Sequence, residues 1–325
     1  MNYVQTTIAT NKFWRATPRA TSSKRAGKLS KSNVTPVGSG ATNYGKVVGG
    51  TILAKDSNGL LHPLGIADIT TGEVAGNDVV VDVVAGLRVG DTVAIHAGAD
   101  RAAALTNNSV VITVVPKVTG LLFVLAVAGN DTPFSSSYNP VNKTITINSA
   151  TGAGGLATTT HAGLVSELLT KFGSLIKSAS SATPATVVAA QTSISLGTPK
   201  YGAIASARTL STISTLTLTL SGAVFTCSIG DYVIKTGAYK AAGILDETVS
   251  TTSYVDGEVR ASDENVSLAY EGDALKSATF LPNLPGGTAG EIVRRMLGGH
   301  PYIDPVDGVT EVVTEDLVGF RFINP

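Results

Sequence analysis

Charge is scarce in this sequence. Asp, Glu, Lys and Arg make up only 15% of its 325 residues, against the usual quarter, and aromatics only 6%. There is a single cysteine, Cys227, within the apolar run GAVFTCSIG. One cysteine cannot make an internal disulfide, which excludes a secreted fold stapled by bridges. With no base or cation beside it in sequence, Cys227 reads as a small buried apolar residue on a strand. Long apolar runs are missing too. The longest, GLLFVLAVAG at 120–129, falls far short of the roughly 20 residues a bilayer-crossing helix needs. The N-terminus MNYVQTTIATNKFW lacks the apolar core of a secretory signal. The expectation is a soluble protein made in the cytosol, with no membrane partner.

What the chain has instead is Thr, Ser, Ala, Val and Gly, with β-branched residues gathered in runs. This composition predicts a mainly β protein: several small barrel or sandwich modules, two short helices and an extended N-terminal arm. Turn signals punctuate the strands every 8–12 residues, as in KVVGGTILAKD-SNG-LLHPLGIADI and LRVGDTVAIHAG. Four segments follow from the cadence: an arm over 1–45, a small β module over 46–106, a β/α module over 107–197 and a third module over 198–325. In the β/α module, Leu164, Val165, Leu168, Leu169 and Phe172 share one helical face, predicting a helix over about 160–172 with Thr159 or Thr160 as its N-cap. A second helix is predicted over about 288–298, with Ile292, Val293, Met296 and Leu297 on one face and Gly298–Gly299 as its stop. The pairs VGDTVAI/IGDYVIK and PLGIADI/AAGILDE form a weak internal echo.

The zero net charge hides an asymmetry. Up to Lys55 there are nine basic residues and no acidic one, leaving 15 basic against 24 acidic residues in the remainder. A basic arm on an acidic body suits contact with an acidic protein surface, another copy included. Phe13 and Trp14, two large rings in a polar stretch, read as the anchors of that arm. Arg15, Arg19, Lys24 and Arg25 follow them as its charge. Nucleic acid is a less favoured partner.

Reactive constellations are hard to find. GATNYGKV at 40–47 matches a phosphate-loop pattern until its last position, where Val47 stands in place of the hydroxyl that would reach magnesium. His62, His96, His161 and His300 each stand alone, without zinc spacing, and read as surface or capping residues. Asp91, Asp231, Asp256, Asp304 and Asp307 sit in turns, where Asp bonds nearby backbone. No catalytic, cofactor or metal residue is assigned, and the chain is expected not to be an enzyme.

GDYVIKTGAYKAAGILDETVSTTSYVDGEVRASDE, then DALKSATFLP and a helix ending in Gly-Gly, resembles the lambda-type head decoration (cement) proteins of tailed bacteriophages. The arm and VVGGTILAKDSNGLLHPLG resemble the extended N-terminus and first strand of that group. TITINSATGAGGLATTTHAGLVSELLT is similar to a small β/α module of phage head and tail proteins. The resemblance implies a structural virion protein on the outer capsid surface, a homotrimer whose partner is the major capsid protein. It implies no cofactor. The chain is about three times the length of a simple decoration protein. A tail, fibre-base or host-recognition protein built from the same modules is the competing reading.

Overall fold

The computed structural model describes residues 24–30, 46–47, 49–72, 76–84, 86–115, 118, 120–236, 241–250, 252–255, 258–261, 263–269, 271–275, 287–297, 302–303, 311–312 and 319–323. Among the described residues the fold is mainly β, as the composition predicts, with two helices, closed barrels and several smaller sheets. The described residues form two compact units. The first combines the chain up to Ile95 with Ala205–Tyr302 and the strands at 311–312 and 319–323. The second is His96–Ile204 together with Ile303.

The first unit holds two closed barrels. One runs in the order Lys24–Leu29, Glu264–Ala269, Ala241–Leu245, Ile52–Lys55, Leu61–Pro63, and closes where Leu29 pairs with Leu61. Its strands are short and rich in small apolar residues, and Ala241–Leu245 is buried at every position. Gly243 sits where the register slips against Ile52–Lys55, with φ +153; a Cβ there would lie 2.7 Å from the Ala269 carbonyl oxygen. Only glycine fits that approach. The second barrel has six strands, in the order Ala203–Ser214, Thr217–Leu220, Asp78–Val81, Ile66–Thr71, Tyr232–Lys235, Thr92–His96.

Strands from the expected first and third modules therefore share both barrels. Residues 46–106 and 198–325 are not separate bodies, because antiparallel pairs such as Ile244↔Ile52 and Ile234↔Ile66 bind them together. Part of the expected arm also belongs to the barrel. Lys24–Leu29 pairs over six residues with Glu264–Ala269, from Lys24↔Ala269 to Leu29↔Glu264. Leu29 is fully buried.

The helix α2 (Gly287–Leu297) lies on this unit, packed on the strands Ile66–Thr71, Ala241–Leu245 and Tyr232–Lys235. Its apolar stripe buries Ile292, Val293, Met296 and Leu297, the face that the sequence periodicity marks.

The second unit has its own core. A four-stranded sheet runs in the order Ser135–Asn139, Thr144–Asn148, Leu122–Ala126, Gln191–Ser195, with the two central strands parallel. A three-stranded sheet contains Ile176–Ser181, Val110–Val114 and Ala103–Ala104. Helix α1 (His161–Lys171) packs on Ile176–Ser181. Thr160 is its N-cap, its Oγ1 accepting from the Gly163 N–H at 3.2 Å. Phe123, Ile145, Ile147, Leu164, Leu168 and Phe172 meet in the interior. The stretch His96–Ile204 begins and ends at one place. Ala97 and Tyr201 are joined by the Tyr201 N–H on the Ala97 carbonyl at 2.7 Å, and Arg101 and Thr198 exchange two further backbone bonds. That stretch is thus a loop of just over a hundred residues, tied off at its neck.

Candidate functional site

The six residues expected to contact a capsid divide. Phe13, Trp14, Arg15 and Arg19 lie outside the described residues. Lys24 and Arg25 have strand backbones paired with Ala269 and Leu268. Further along the same strand, Lys28 reaches Asp263 at 3.8 Å, so basic residue meets acidic residue within the barrel wall. Expressed as sequence, KRAGKL carries one strong apolar residue and no visible strand signal. Its register comes from a partner more than two hundred residues away.

The GATNYGKV stretch is described only from Lys46, which with Val47 pairs against Val249–Ser250. From there the chain turns at Gly49–Gly50 into the strand Ile52–Lys55, whereas a phosphate loop feeds a helix. Val47 is buried in the five-stranded barrel's core.

Three histidines are described, and all three are buried rather than on the surface. His62 lies in the strand Leu61–Pro63, and its Nε2 contacts Asp56 Oδ2 at 2.9 Å. Asp56 also accepts from the Asn58 and Leu60 N–H groups, at 2.8 and 2.9 Å, tying the SNG turn to the strand that follows it. Burial pushes the Asp56 carboxyl up, but His62 and those two N–H groups outweigh it and hold the pKa below the usual carboxylate value. His96 Nδ1 meets the Tyr201 carbonyl oxygen at 2.9 Å, part of the neck just described. His161 opens α1, its Nδ1 lying 3.0 Å from the Thr183 carbonyl oxygen and 3.2 Å from Ser181 Oγ. This Ser–His contact resembles a nucleophile and its base, but His161 is 2% exposed and nothing as large as a substrate reaches it.

Ser136 offers the other such arrangement. Its hydroxyl donates to Glu167, and Lys171 Nζ donates to the Ser136 hydroxyl and carbonyl oxygens at 2.7 and 2.6 Å. Lys171 also faces Glu167 at 3.8 Å. An ammonium engaged by three oxygens is a clamp on the edge strand, not a base. It covers a carbonyl that an exposed sheet edge would otherwise present to another chain.

The two described turn aspartates, Asp91 and Asp231, serve the backbone. Asp91 Oδ2 accepts from the Arg88 N–H at 2.9 Å and Asp231 Oδ2 from the Ser228 N–H at 2.6 Å. Each turn closes by the aspartate N–H on the carbonyl three residues back, at 3.0 and 3.1 Å. Each has a positive-φ glycine, Gly90 or Gly230, at its third position. The VGD/IGD echo is therefore one turn built twice, each feeding a strand of the six-stranded barrel. Cys227 is buried just before the second of them, in a loop and not on a strand. Asp256, Asp304, Asp307 and His300 lie outside the described residues.

Asp68 is a residue that the sequence does not single out. It stands on Ile66–Thr71, 5% exposed, and its Oδ1 accepts the Ala289 N–H at 3.0 Å, capping α2 from 221 residues away. Its own N–H donates to Asp82 Oδ1 at 2.9 Å. Burial raises the carboxyl to a pKa of about 7; the Ala289 N–H opposes this, the Asp82 charge adds to it, and the Thr288 and Gly290 N–H groups oppose it again.

Among the described residues no group of three or more His, Cys, Asp and Glu side chains could hold a metal ion, and no helix is long and apolar enough to cross a membrane. Comparison of the chain with family models, with characterised proteins and with solved structures gave no match.

Proposed function

We propose that this chain is a structural virion protein that binds the outer surface of a phage capsid and stabilises the shell as a cement protein. One observation supports the reading most. The two stretches that resemble decoration proteins, VVGGTILAKD and AYKAAGILDE, lie nearly two hundred residues apart, and their strands are neighbours in one barrel. A resemblance spread over two distant segments gains weight when both belong to the same small body. The extra length has a counterpart as well, since most of the second unit is one continuous stretch, His96–Ile204, inserted between segments of the first. Cement function asks for rigid modules and an attachable arm, and for no reactive group. His62, Asp56, Asp68, Asp91, Asp231 and Lys171 are engaged in holding turns, a cap and an edge.

In this reading, residues 1–22 carry the attachment, with Phe13 and Trp14 inserted into the shell and Arg15 and Arg19 on its acidic surface. Lys24 and Arg25 mark where the arm joins the barrel. The protein acts as a homotrimer on the major capsid protein, without cofactor or catalysis. The test is co-sedimentation of the full chain, and of a variant lacking residues 1–22, with expanded, DNA-free shells of the phage that encodes it. The full chain should saturate near one copy per capsid subunit and the shortened one should stay in solution. A full chain that fails to bind defeats the cement reading and favours a tail or fibre position. Equal binding by both defeats the arm.

A further inference from the structure

We propose that Asp68 and α2 form a proton-linked latch, in which the C-terminal helix is held tightest on the barrel when the Asp68 carboxyl is neutral and loosens as the solution becomes more alkaline. The geometry sets two opposing demands on one side chain. Asp68 caps the helix through Oδ1, a contact that favours negative charge at a helix N-terminus. Yet the carboxyl is 5% exposed, and Oδ2 has no donor in hydrogen-bonding geometry among the described residues. The space beside that oxygen is tight: Gly287 leaves room for it only because it has no side chain, since a Cβ there would lie 2.7 Å from Oδ2. A buried carboxylate with half its acceptor capacity unused is expensive to keep charged.

Beyond the N–H groups of Thr288, Ala289 and Gly290, which oppose the burial only in part, the neighbours do not relieve that charge. Asp82 brings a second carboxylate against the Asp68 N–H. Asp231 is turned to the Ser228 N–H, and Lys235, on the adjoining strand, is ion-paired with Asp91 at 2.7 Å. Asp246 follows the strand Ala241–Leu245 and is itself buried. On α2, Glu291 pairs with Arg295 at 3.4 Å, and Arg294 stands in the last turn, away from the capped end. Strand 319–323 adds Arg321 in sequence. No cation among the described residues forms an ion pair with Asp68.

The sign follows from linkage. When α2 lifts away, Asp68 gains water and an ordinary carboxylate pKa; when it docks, the pKa stands near 7. Docking then binds a proton. It is fully favoured below about pH 4, weakens through the interval up to about 7 and levels off above it.

Hydrogen–deuterium exchange of the full-length protein between pH 5 and pH 8, corrected for intrinsic exchange, reads this directly at the amides of Ile292–Leu297. The opening constant should rise by up to about tenfold per pH unit below 7 and flatten above it. D68N should remove the slope. D82N keeps an acceptor for the Asp68 N–H but removes the neighbouring charge, and should move the inflection to lower pH. A pH-independent opening constant in the unmodified protein, or one that falls with rising pH, overturns the latch. So does a D82N profile that superimposes on it, and that arm holds even if D68N does not fold.

Discussion

Gly27 lies against Leu61 so closely that a Cβ on it would overlap Leu61 Cδ1 and come within 3.2 Å of Leu268 Cδ1. The strand is held flat between two leucines because it has no side chain at that point. Gly27→Val should destabilise the first unit by about 1–3 kcal/mol through overpacking. Ala26→Val, on the exposed face of the same strand, should stay within about 0.5 kcal/mol. Denaturant melts of the two variants measure the contrast, and equal effects would deny that the strand packs inward at Gly27.

Truncation should have a sharp boundary. Removing residues 1–22 leaves the ladder Lys24–Leu29 with Glu264–Ala269 intact, so the melting temperature should change little. Removing residues 1–30 takes out the buried Leu29 and opens an unpaired edge along Glu264–Ala269. That protein should aggregate or melt about 10 °C lower, the shift that a loss of roughly 3–5 kcal/mol produces in a unit of this size. Light scattering and calorimetry on the two truncations decide it.

Lys235 and Asp91 form an ion pair 2.7 Å long with side chains only 13% and 15% exposed. Lys235→Met leaves a covered carboxylate without its cation and should cost about 2–3 kcal/mol. Asp91→Asn in the same background removes the stranded charge but keeps an acceptor for the Arg88 N–H. The double variant should therefore recover part of the loss. If it is no more stable than K235M alone, the pair's contribution lies elsewhere.

Acid should act on the second unit through Asp100. Burial pushes its carboxyl up, but the bonds from the Lys177 ammonium and the Lys200 N–H (the latter 2.8 Å) outweigh that and hold it below the usual carboxylate range. A folded-state pKa below the unfolded one gives stability that is present above about pH 4 and is lost as the pH falls through the lowered value. Lys177 is half exposed, so the contribution is about 0.5–1 kcal/mol. Asp100→Asn should lower stability at pH 7 by that amount and narrow the gap to the unmodified protein at pH 3. Melts of the isolated unit at both pH values give the comparison.

Residues 97–203 should fold alone. Their core, from Leu105 to Leu196, draws only on residues inside the unit, and the chain's two crossings are bonded to each other at Ala97 and Tyr201. Expressed by itself the segment should melt cooperatively and give dispersed amide resonances. A featureless spectrum would show that it depends on the rest of the chain.

What the sequence reveals here depends on how locally each element is determined. α1 and α2 were legible to within a residue or two, because Leu164, Leu168, Ile292 and Met296 recur at helical spacing and Thr160 supplies a cap. TITIN shows its strand by alternation, and Ile145 and Ile147 are indeed the buried pair. The twin Asp turns were visible because glycine and aspartate must occupy fixed places in them. The barrel strand KRAGKL was not visible: a glycine chosen for closeness to Leu61 looks, in sequence, like a residue chosen for flexibility. Nor could the module boundaries be read, since composition changes little where the chain leaves one unit for the other. Asp68 escaped for the same reason as KRAGKL. Its significance lies in a helix 221 residues later.

The five-stranded barrel also imposes an order of events. Leu29 pairs with Glu264, so the first strand leaves the ribosome 235 residues before its partner exists. At synthesis rates of roughly 5–20 residues per second, it waits on the order of 10–50 s. The second unit is complete well before then and can fold while its host is still an open sheet. The five-stranded barrel cannot close before then, and through that interval the nascent basic strand has only its short parallel contact with Leu61.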